Sequence, residues 1–235
     1  ARYTPLSLFT TNQSRINQIL SLSKITFEET SKLTQFYGEI DAYAAMAQLI
    51  LDRTTTTNNH GEEIRCCFAE LDEQSTEAYA CVDEMWHPMI PTDRVRTNSI
   101  RLGGSPETPR NGIITGPNAA GKSVSMKALL VNIIFAQAFG IGFAKSLKFT
   151  PFKKIIAQFG SADDTANDQS KFMYEATSVV DLLKQLQTLS AEDKALVFTD
   201  ELFSGTEVTP AILLSVELCS RVSLLKNVCY ILATH

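Results

Sequence analysis

The string "GIITGPNAAGKS", residues 112–123, constrains the fold of this chain more than any other. An apolar pair, Ile113 and Ile114, reads as a strand running into a loop spaced G-x-x-x-x-G-K-[ST], with Gly116, Gly121, Lys122 and Ser123 at the defining positions. Glycines let the backbone wrap so that successive N–H groups point at phosphates, and the positive end of the next helix faces the same way. In this pattern Lys122 reaches the outer phosphates and Ser123 holds Mg2+ through its hydroxyl. Strand before and helix after are both present, so the motif predicts a nucleotide-binding α/β protein.

The surrounding segments agree. After the loop helix, "FKKIIAQFG" reads as a strand, residues 171–189 as a helix, "ALVFTDE" as a buried strand, residues 210–225 as a helix and "VCYILATH" as a strand. Pro210 suits the first helical turn, with Thr209 expected as its cap. Strands alternating with helices indicate a parallel sheet covered on both faces. Upstream, Leu33, Phe36, Ile40, Tyr43, Ala47 and Ile50 recur at helical intervals, which predicts a long helix over 30–53 before the polar break "TTTTNNHGEE". Shorter strand candidates are "IRCCFAEL" and "EAYACVDEMW".

A strand ending in acid is the expected complement of a phosphate loop. Asp200 and Glu201 stand where "ALVFTDE" emerges, and ligands of such sheets bind beyond the carboxyl ends of the strands. Asp200 is expected to bind Mg2+, and Glu201 to orient and polarise an attacking water. Thr199 is an oddity among apolar neighbours. His235, at the end of another strand, either contacts the terminal phosphate or the water, or is a surface residue. Between these halves lies "QFGSADDTANDQSKFMYEA", residues 158–176. This segment is either a solvated connection with Ser170 as a cap, or a helix start whose Ser170 donates to the γ-phosphate of a second subunit. No N-K-x-D string marks guanine, so ATP is favoured, and no H-R-D or D-F-G marks a protein kinase.

Composition narrows the class. The chain has 235 residues, 44% of them hydrophobic, enough for a sizeable core. A net charge of -5 excludes a general basic coat, so any DNA contact must be local or made by domains outside this chain. Arg94, Arg96, Arg101 and Arg110 form a loose basic cluster that reads as a solvated loop. The five cysteines, Cys66, Cys67, Cys81, Cys219 and Cys229, have no C-x-x-C spacing, which fits a reduced cytosolic or nuclear protein without zinc. The apolar stretch 128–144 is nearly long enough for a bilayer but is interrupted by Asn132, Gln137, Gly140 and Gly142, so it reads as a core helix and not a membrane segment. The abrupt end at "LATH" suggests a fragment.

The order "TGPNAAGKS", "FGSADDTANDQSKFMYE", "VFTDELFSGTE", "LATH" resembles the ATPase domain of the MutS DNA mismatch repair family. "GEIDAYAAMAQL" is similar to the end of that family's lever helices, and "EMWHPMI" to its His-Pro segment. The resemblance implies a P-loop fold of ABC type, a mixed or parallel sheet flanked by helices. Residues 1–58 would be a lever or connector remnant, and 59–235 an ATPase domain truncated at its C-terminus. It implies ATP and Mg2+ as ligands, a homodimer or a related MutS-like subunit as partner, DNA bound through other domains, and a bacterial nucleoid or nuclear setting.

By resemblance, Gly116, Pro117, Asn118, Ala119, Ala120, Gly121, Lys122 and Ser123 cradle the phosphates, and Ser123 and Asp200 serve the metal. Glu201, His235 and the partner's copy of Ser170 act on the reaction, with Phe172 and Met173 behind that serine and the Gly205-Thr206 turn after the acid pair. Val95 and Arg96 lie near the segment that packs on the adenine in that family. Several positions depart from the family. Ala119-Ala120 replaces a Met-Gly pair, Asp168 replaces glycine near the partner's phosphate, Lys171 stands where threonine is usual, and "LFSGTEVTP" replaces "IGRGTST". Phe68-Ala69-Glu70 spells the family's mismatch-reading Phe-x-Glu, but in a strand before the ATPase core, and reads as coincidence. A nucleotide-dependent dimerisation module with little hydrolysis remains an alternative, as does another ABC-type ATPase, although no L-S-G-G-Q string is present.

Overall fold

The computed structural model describes residues 12–53, 57–159, 168–203 and 208–234. Two compact units result, Ala1–Asp52 and Arg53–His235. A single helix, α1 (Asn12–Arg53), runs for 42 residues, about 63 Å at 1.5 Å per residue. It begins well before the expected residue 30 because 12–29 contains neither Gly nor Pro. Ser21, Ser23 and Thr26 return their hydroxyls to carbonyls three or four residues back, so these polar side chains satisfy themselves without breaking the helix.

The second unit runs β1 (Cys67–Phe68), β2 (Glu70–Leu71), β3 (Ala80–Met85), β4 (Asn98–Leu102), β5 (Asn111–Thr115), α2 (Lys122–Phe139), β6 (Ile141–Gly142), β7 (Ser146–Phe149), β8 (Lys154–Phe159), α3 (Asp168–Gln187), β9 (Ala195–Asp200), α4 (Val208–Ser223) and β10 (Val228–Thr234). A parallel four-stranded sheet has the order β5-β10-β9-β8. A mixed sheet, β2-β7-β3-β4, has β3 antiparallel to both its neighbours and β2 parallel to β7, and β1 pairs with β6.

The apolar runs of β9 and β10 are continuous because both faces of the parallel sheet are covered. Leu196, Phe198, Cys229 and Ile231 join Met126, Leu129 and Ile133 of α2 in one core, which extends to Val82, Leu102 and Phe149 of the mixed sheet. Helix α2 is therefore packed between two sheets. On the opposite face, Val197, Tyr230 and Leu232 pack against Leu182 and Leu186 of α3 and Leu218 and Val222 of α4. Each fully buried leucine or phenylalanine contributes about 1.5–3 kcal/mol. Thr199 ceases to be odd here, since its buried hydroxyl lies 2.6 Å from that of Tyr230.

The polar residues interrupting 128–144 have structural tasks. Asn132 Nδ2 donates to the carbonyls of Trp86 (3.2 Å) and Ala128 (2.9 Å), and its Oδ1 accepts from Phe143 N (2.7 Å). Gln137 brackets Phe152 through both its N–H and its C=O. The helix stops at Phe139, where Gly140 (φ 72°) closes it and donates to Ala136 O. The stretch 128–144 is thus helix, turn and strand, not one core helix. No helix among the described residues is long and apolar enough to cross a membrane.

Other expectations need correction. "IRCCFAEL" breaks into the two-residue strands β1 and β2, which pair with different partners. "EAYACVDEMW" contracts to β3, with a register irregularity between Val82 and Met85 and Glu84 at φ 49°. Thr209 lies inside α4 and is not its cap. Strand β7 exposes polar residues on alternate positions and β4 exposes Asn98, Ser99 and Arg101; neither strand was anticipated.

Candidate functional site

The parallel register brings the candidate residues to one edge. Thr234 of β10 lies beside Thr115 of β5, and Ala233 of β10 lies beside Asp200 of β9, which in turn neighbours Phe159 of β8. The loop 116–121, Asp200 with Glu201, and the chain entering residues 160–167 therefore all leave the sheet at its carboxyl edge, where such sheets take ligands.

Gly121, at φ 90°, is the N-cap of α2, and no side chain caps that helix end. A Cβ at this position would meet nothing within 4 Å, so its glycine requirement is one of dihedral angle and not of space. Lys122 is only 7% exposed, and its Nζ donates to Gly116 O (2.7 Å) and Pro117 O (3.2 Å). The ammonium is thus held inside the loop by loop carbonyls. Ala119 adopts φ 62°, whereas Ala120 is not among the left-handed residues, so an alanine in place of glycine at 120 meets no dihedral penalty. Ser123 and Ser125 follow in the first turn of α2, and no acidic residue competes there.

Asp200 carries a buried carboxylate oxygen, Oδ1, without a hydrogen-bond partner. A desolvated hard oxygen at a strand end suits a divalent cation such as Mg2+. The chain then turns sharply. Glu201 (φ 53°) and Phe203 (φ 60°) both occupy the left-handed region, at a cost of about 1–3 kcal/mol each. Burial of the Phe203 ring and the bond from Glu201 N to Ala233 O (3.0 Å) hold this turn.

Ser170 lies in the first turn of α3, which opens at Asp168, but its side chain is outside the described residues, as are those of Lys171 and Phe172. His235 and the Gly205-Thr206 turn also lie outside them. Met173 is exposed.

Val95 is buried, at 1% exposure, while Arg96 is exposed. Two residues that the sequence reading missed hold this segment. Asn58, 5% exposed, donates through Nδ2 to Val95 O (2.9 Å) and to Glu62 Oε2 (2.7 Å), and its Oδ1 accepts from the N–H groups of His60 and Glu62. Glu62 Oε2 also accepts from Thr97 N (3.1 Å). Burial pushes the Glu62 carboxyl up, but hydrogen bonds from Asn58 and Thr97 and the charges of Arg96 and His60 together bring it below the usual carboxylate range. Only the Asn-x-x-Gly turn pattern of 58–61 hinted at this element.

Much of the basic cluster is paired within the fold: Arg94 with Asp93, Arg101 with Asp83 (2.9 Å) and Arg110 with Glu77 (2.7 Å). Phe68 is 88% exposed on the short strand β1. Burial and the nearby Lys127 ammonium hold the His87 imidazole below the usual histidine range. The cysteines are unbridged, and burial, with Cys67 beside it, pushes the Cys66 thiol up to about 11. Among the described residues no cluster of three or more His, Cys, Asp or Glu could hold a metal.

Residues 112–235, which span the glycine-rich loop, Asp200 and the last strand, match the family model of MutS domain V. The chain belongs to the MutS family. This MutS-family chain is 26% identical over 211 residues to Endonuclease MutS2 of Halalkalibacterium halodurans, an alignment covering 89% of the chain and 25% of that relative. It is 27% identical over 238 residues to Endonuclease MutS2 of Clostridium tetani, covering 98% and 28%. Against DNA mismatch repair protein MutS of Lachnoclostridium phytofermentans it is 31% identical over 179 residues, covering 74% and 17%. The chain spans about a quarter of the length of the MutS2 relatives it matches. The family match begins at Gly112, so the Asn58 turn and the Val95–Thr97 segment precede it.

Proposed function

We propose that this chain is an ABC-type ATPase core with a lever remnant, residues 1–58 preceding a nucleotide domain over 59–235, and that it binds and hydrolyses ATP. The observation that carries this reading is the convergence, on one sheet edge, of the Lys122 loop and the buried, unpartnered Oδ1 of Asp200, one strand apart. The backbone N–H groups of 116–121 and the start of α2 cradle the phosphates, and Lys122 exchanges its loop carbonyls for phosphate oxygens. Ser123 and Asp200 hold Mg2+, which supplies neutralisation of phosphate charge when bound. Glu201 accepts a proton from the attacking water as its oxygen bonds the γ-phosphorus and the bond to the β–γ bridging oxygen breaks. His235 contacts the water or the phosphate released.

Ser170 of a second copy or of a related MutS-like subunit completes the site, since a helix start favours an anion. Nucleotide state is then coupled to a clamp on DNA held by domains outside this chain, in recombination or in mismatch repair, the latter being the role given in the name of the Lachnoclostridium phytofermentans relative. Phosphoryl transfer relies on positioning, so misplacing that partner loop should slow it strongly. A second reading, a nucleotide-dependent dimerisation module with little hydrolysis, is motivated by the acidic residue at position 168, where the family commonly has glycine, and by the altered loop sequences. Phosphate release measured on the complete protein separates the two. Turnover that falls with Ser170→Ala supports the first, and turnover near background supports the second.

A further inference from the structure

We infer that Gln158 is a positioning residue whose amide fixes the half of α3 that continues past the carboxyl edge of the parallel sheet, where Asp200 emerges. This rests on the nucleotide reading above and deepens it. Strand register places the group. Gln158 pairs with Thr199 and Phe159 with Asp200, so Gln158 stands on the strand beside the acid and one level below it. Alternation then separates their faces. Ile156 and Val197, two residues before Gln158 and Thr199, belong to the core beneath α3 and α4, whereas Phe159 and Phe198 pack on the core around α2. Gln158 therefore faces α3 and Asp200 faces α2, so any effect of Gln158 on the site runs through the helix.

Two ties fix the direction of α3. At the carboxyl end of β8, Gln158 Nε2 donates to Ser178 O (3.2 Å); at the amino end, Lys154 Nζ donates to Gln185 O (3.2 Å) and Thr188 Oγ1 (3.1 Å). The helix thus runs antiparallel to β8, and residues 168–177, about 15 Å of helix, continue beyond Gln158 with Ser170 in their first turn. The α3 residues in the second core, Val179, Leu182, Leu183 and Leu186, all follow Ser178, while Met173 and Tyr174 are exposed. The Gln158 bond sits where the packed half of α3 gives way to the half that continues outward. Holding one carbonyl at that point sets the direction in which the helix start leaves the sheet. Stability alone does not account for the amide. Gln158 Oε1 is buried without a hydrogen-bond partner, so the side chain gains one bond and strands one acceptor. The hydroxyl of its neighbour Thr199 is already engaged with that of Tyr230 (2.6 Å). A methionine would fill a similar length without the stranded oxygen.

The test separates positioning from support. Steady-state phosphate release, ATP affinity by calorimetry and thermal unfolding are measured on the complete protein for the wild type, Gln158→Met, Lys154→Met, Ser170→Ala and the variant combining Gln158→Met with Ser170→Ala. Gln158→Met removes the tie and the stranded acceptor together, so the unfolding midpoint should stay within about 2 °C of the wild type. Turnover is expected to fall about tenfold with ATP affinity within about twofold, because the helix start is misplaced while the glycine-rich loop is untouched. Gln158→Glu keeps the shape but sets a carboxylate against Ser178 O; it is expected to show the same selective loss and serves alone if Gln158→Met does not fold. Lys154→Met breaks the tie at the other end of the same helix and should leave turnover within about twofold. In the combined variant turnover should fall no further than in the slower single variant, since both changes act through one helix start.

Unchanged turnover in Gln158→Met, an equal loss in Lys154→Met, a loss that tracks ATP affinity or the unfolding midpoint, or losses that multiply in the combined variant each overturn the inference and leave the nucleotide reading intact. A wild type without turnover, or a Ser170→Ala variant that turns over normally, overturns the reading of a hydrolytic site completed by a second copy and this inference with it.

Discussion

The glycine-rich loop and the segment between β3 and β4 are held in place by opposite means. The loop is eight consecutive residues, 116–123, with one lysine folded back onto two carbonyls of the same loop. In the segment between β3 and β4, the side chains of Asn58 and Glu62 reach 37 and 35 residues along the chain to hold peptide groups. A contiguous backbone device needs particular residues at fixed spacing, because only glycine takes the required dihedral cheaply. A clamp between distant segments needs only one donor and one acceptor correctly placed, which many sequences supply.

That contrast can be broken at either end. The largest effect should come from Lys122→Ala, which removes the charge-assisted bonds to phosphate and is expected to abolish ATP binding in calorimetry. Glu201→Gln should leave ATP affinity near the wild-type value but lower steady-state phosphate release by about 100-fold or more; normal turnover in that variant would remove Glu201 from the role proposed. Gly121→Ala tests the backbone argument directly. Nothing obstructs the added Cβ, yet φ 90° is strained for alanine, so ATP affinity should fall about tenfold through dihedral strain alone. An unchanged affinity would show that the loop does not depend on that angle.

The buried Asn132 bracket offers a stability test. Asn132→Ala strips Trp86 O and Phe143 N of their partner and should lower unfolding free energy by about 2–3 kcal/mol in urea titrations. The smallest effect concerns His87. Its folded-state pKa lies below the ordinary value, so the unfolded chain takes up its proton first as pH falls. Stability should therefore decline below about pH 6.5 and level off once pH has passed through the folded value, and His87→Asn should flatten that part of the profile. A slope unchanged in the variant would assign it to other groups.

The alternation of apolar strand and helix from 111 to 234 was legible because the parallel sheet is buried on both faces, so β9 and β10 carry continuous apolar runs. Strands β4 and β7 were not legible. Each leaves one side exposed, and each is too short for its alternation to exceed chance. Helix α1 was underestimated for a related reason: its exposed Ile16, Ile19 and Leu20 lie outside the regular spacing that begins at Leu33. Apolar spacing reports a face only where it persists, while the absence of Gly and Pro lets the helix continue beyond it.

The sequence by itself determined the glycine-rich loop, the acid-ended strand and the family resemblance, since each is a local pattern in which dihedral requirements and charge are written in neighbouring residues. Tertiary structure alone decided that Val95 turns inward while Arg96 faces out, that Thr199 is answered by Tyr230, and that Asn58 and Glu62 hold the segment between β3 and β4. The physical reason is that hydrogen-bond partners are chosen by proximity after folding, and no periodicity in the chain records which distant donor will arrive beside a given carbonyl.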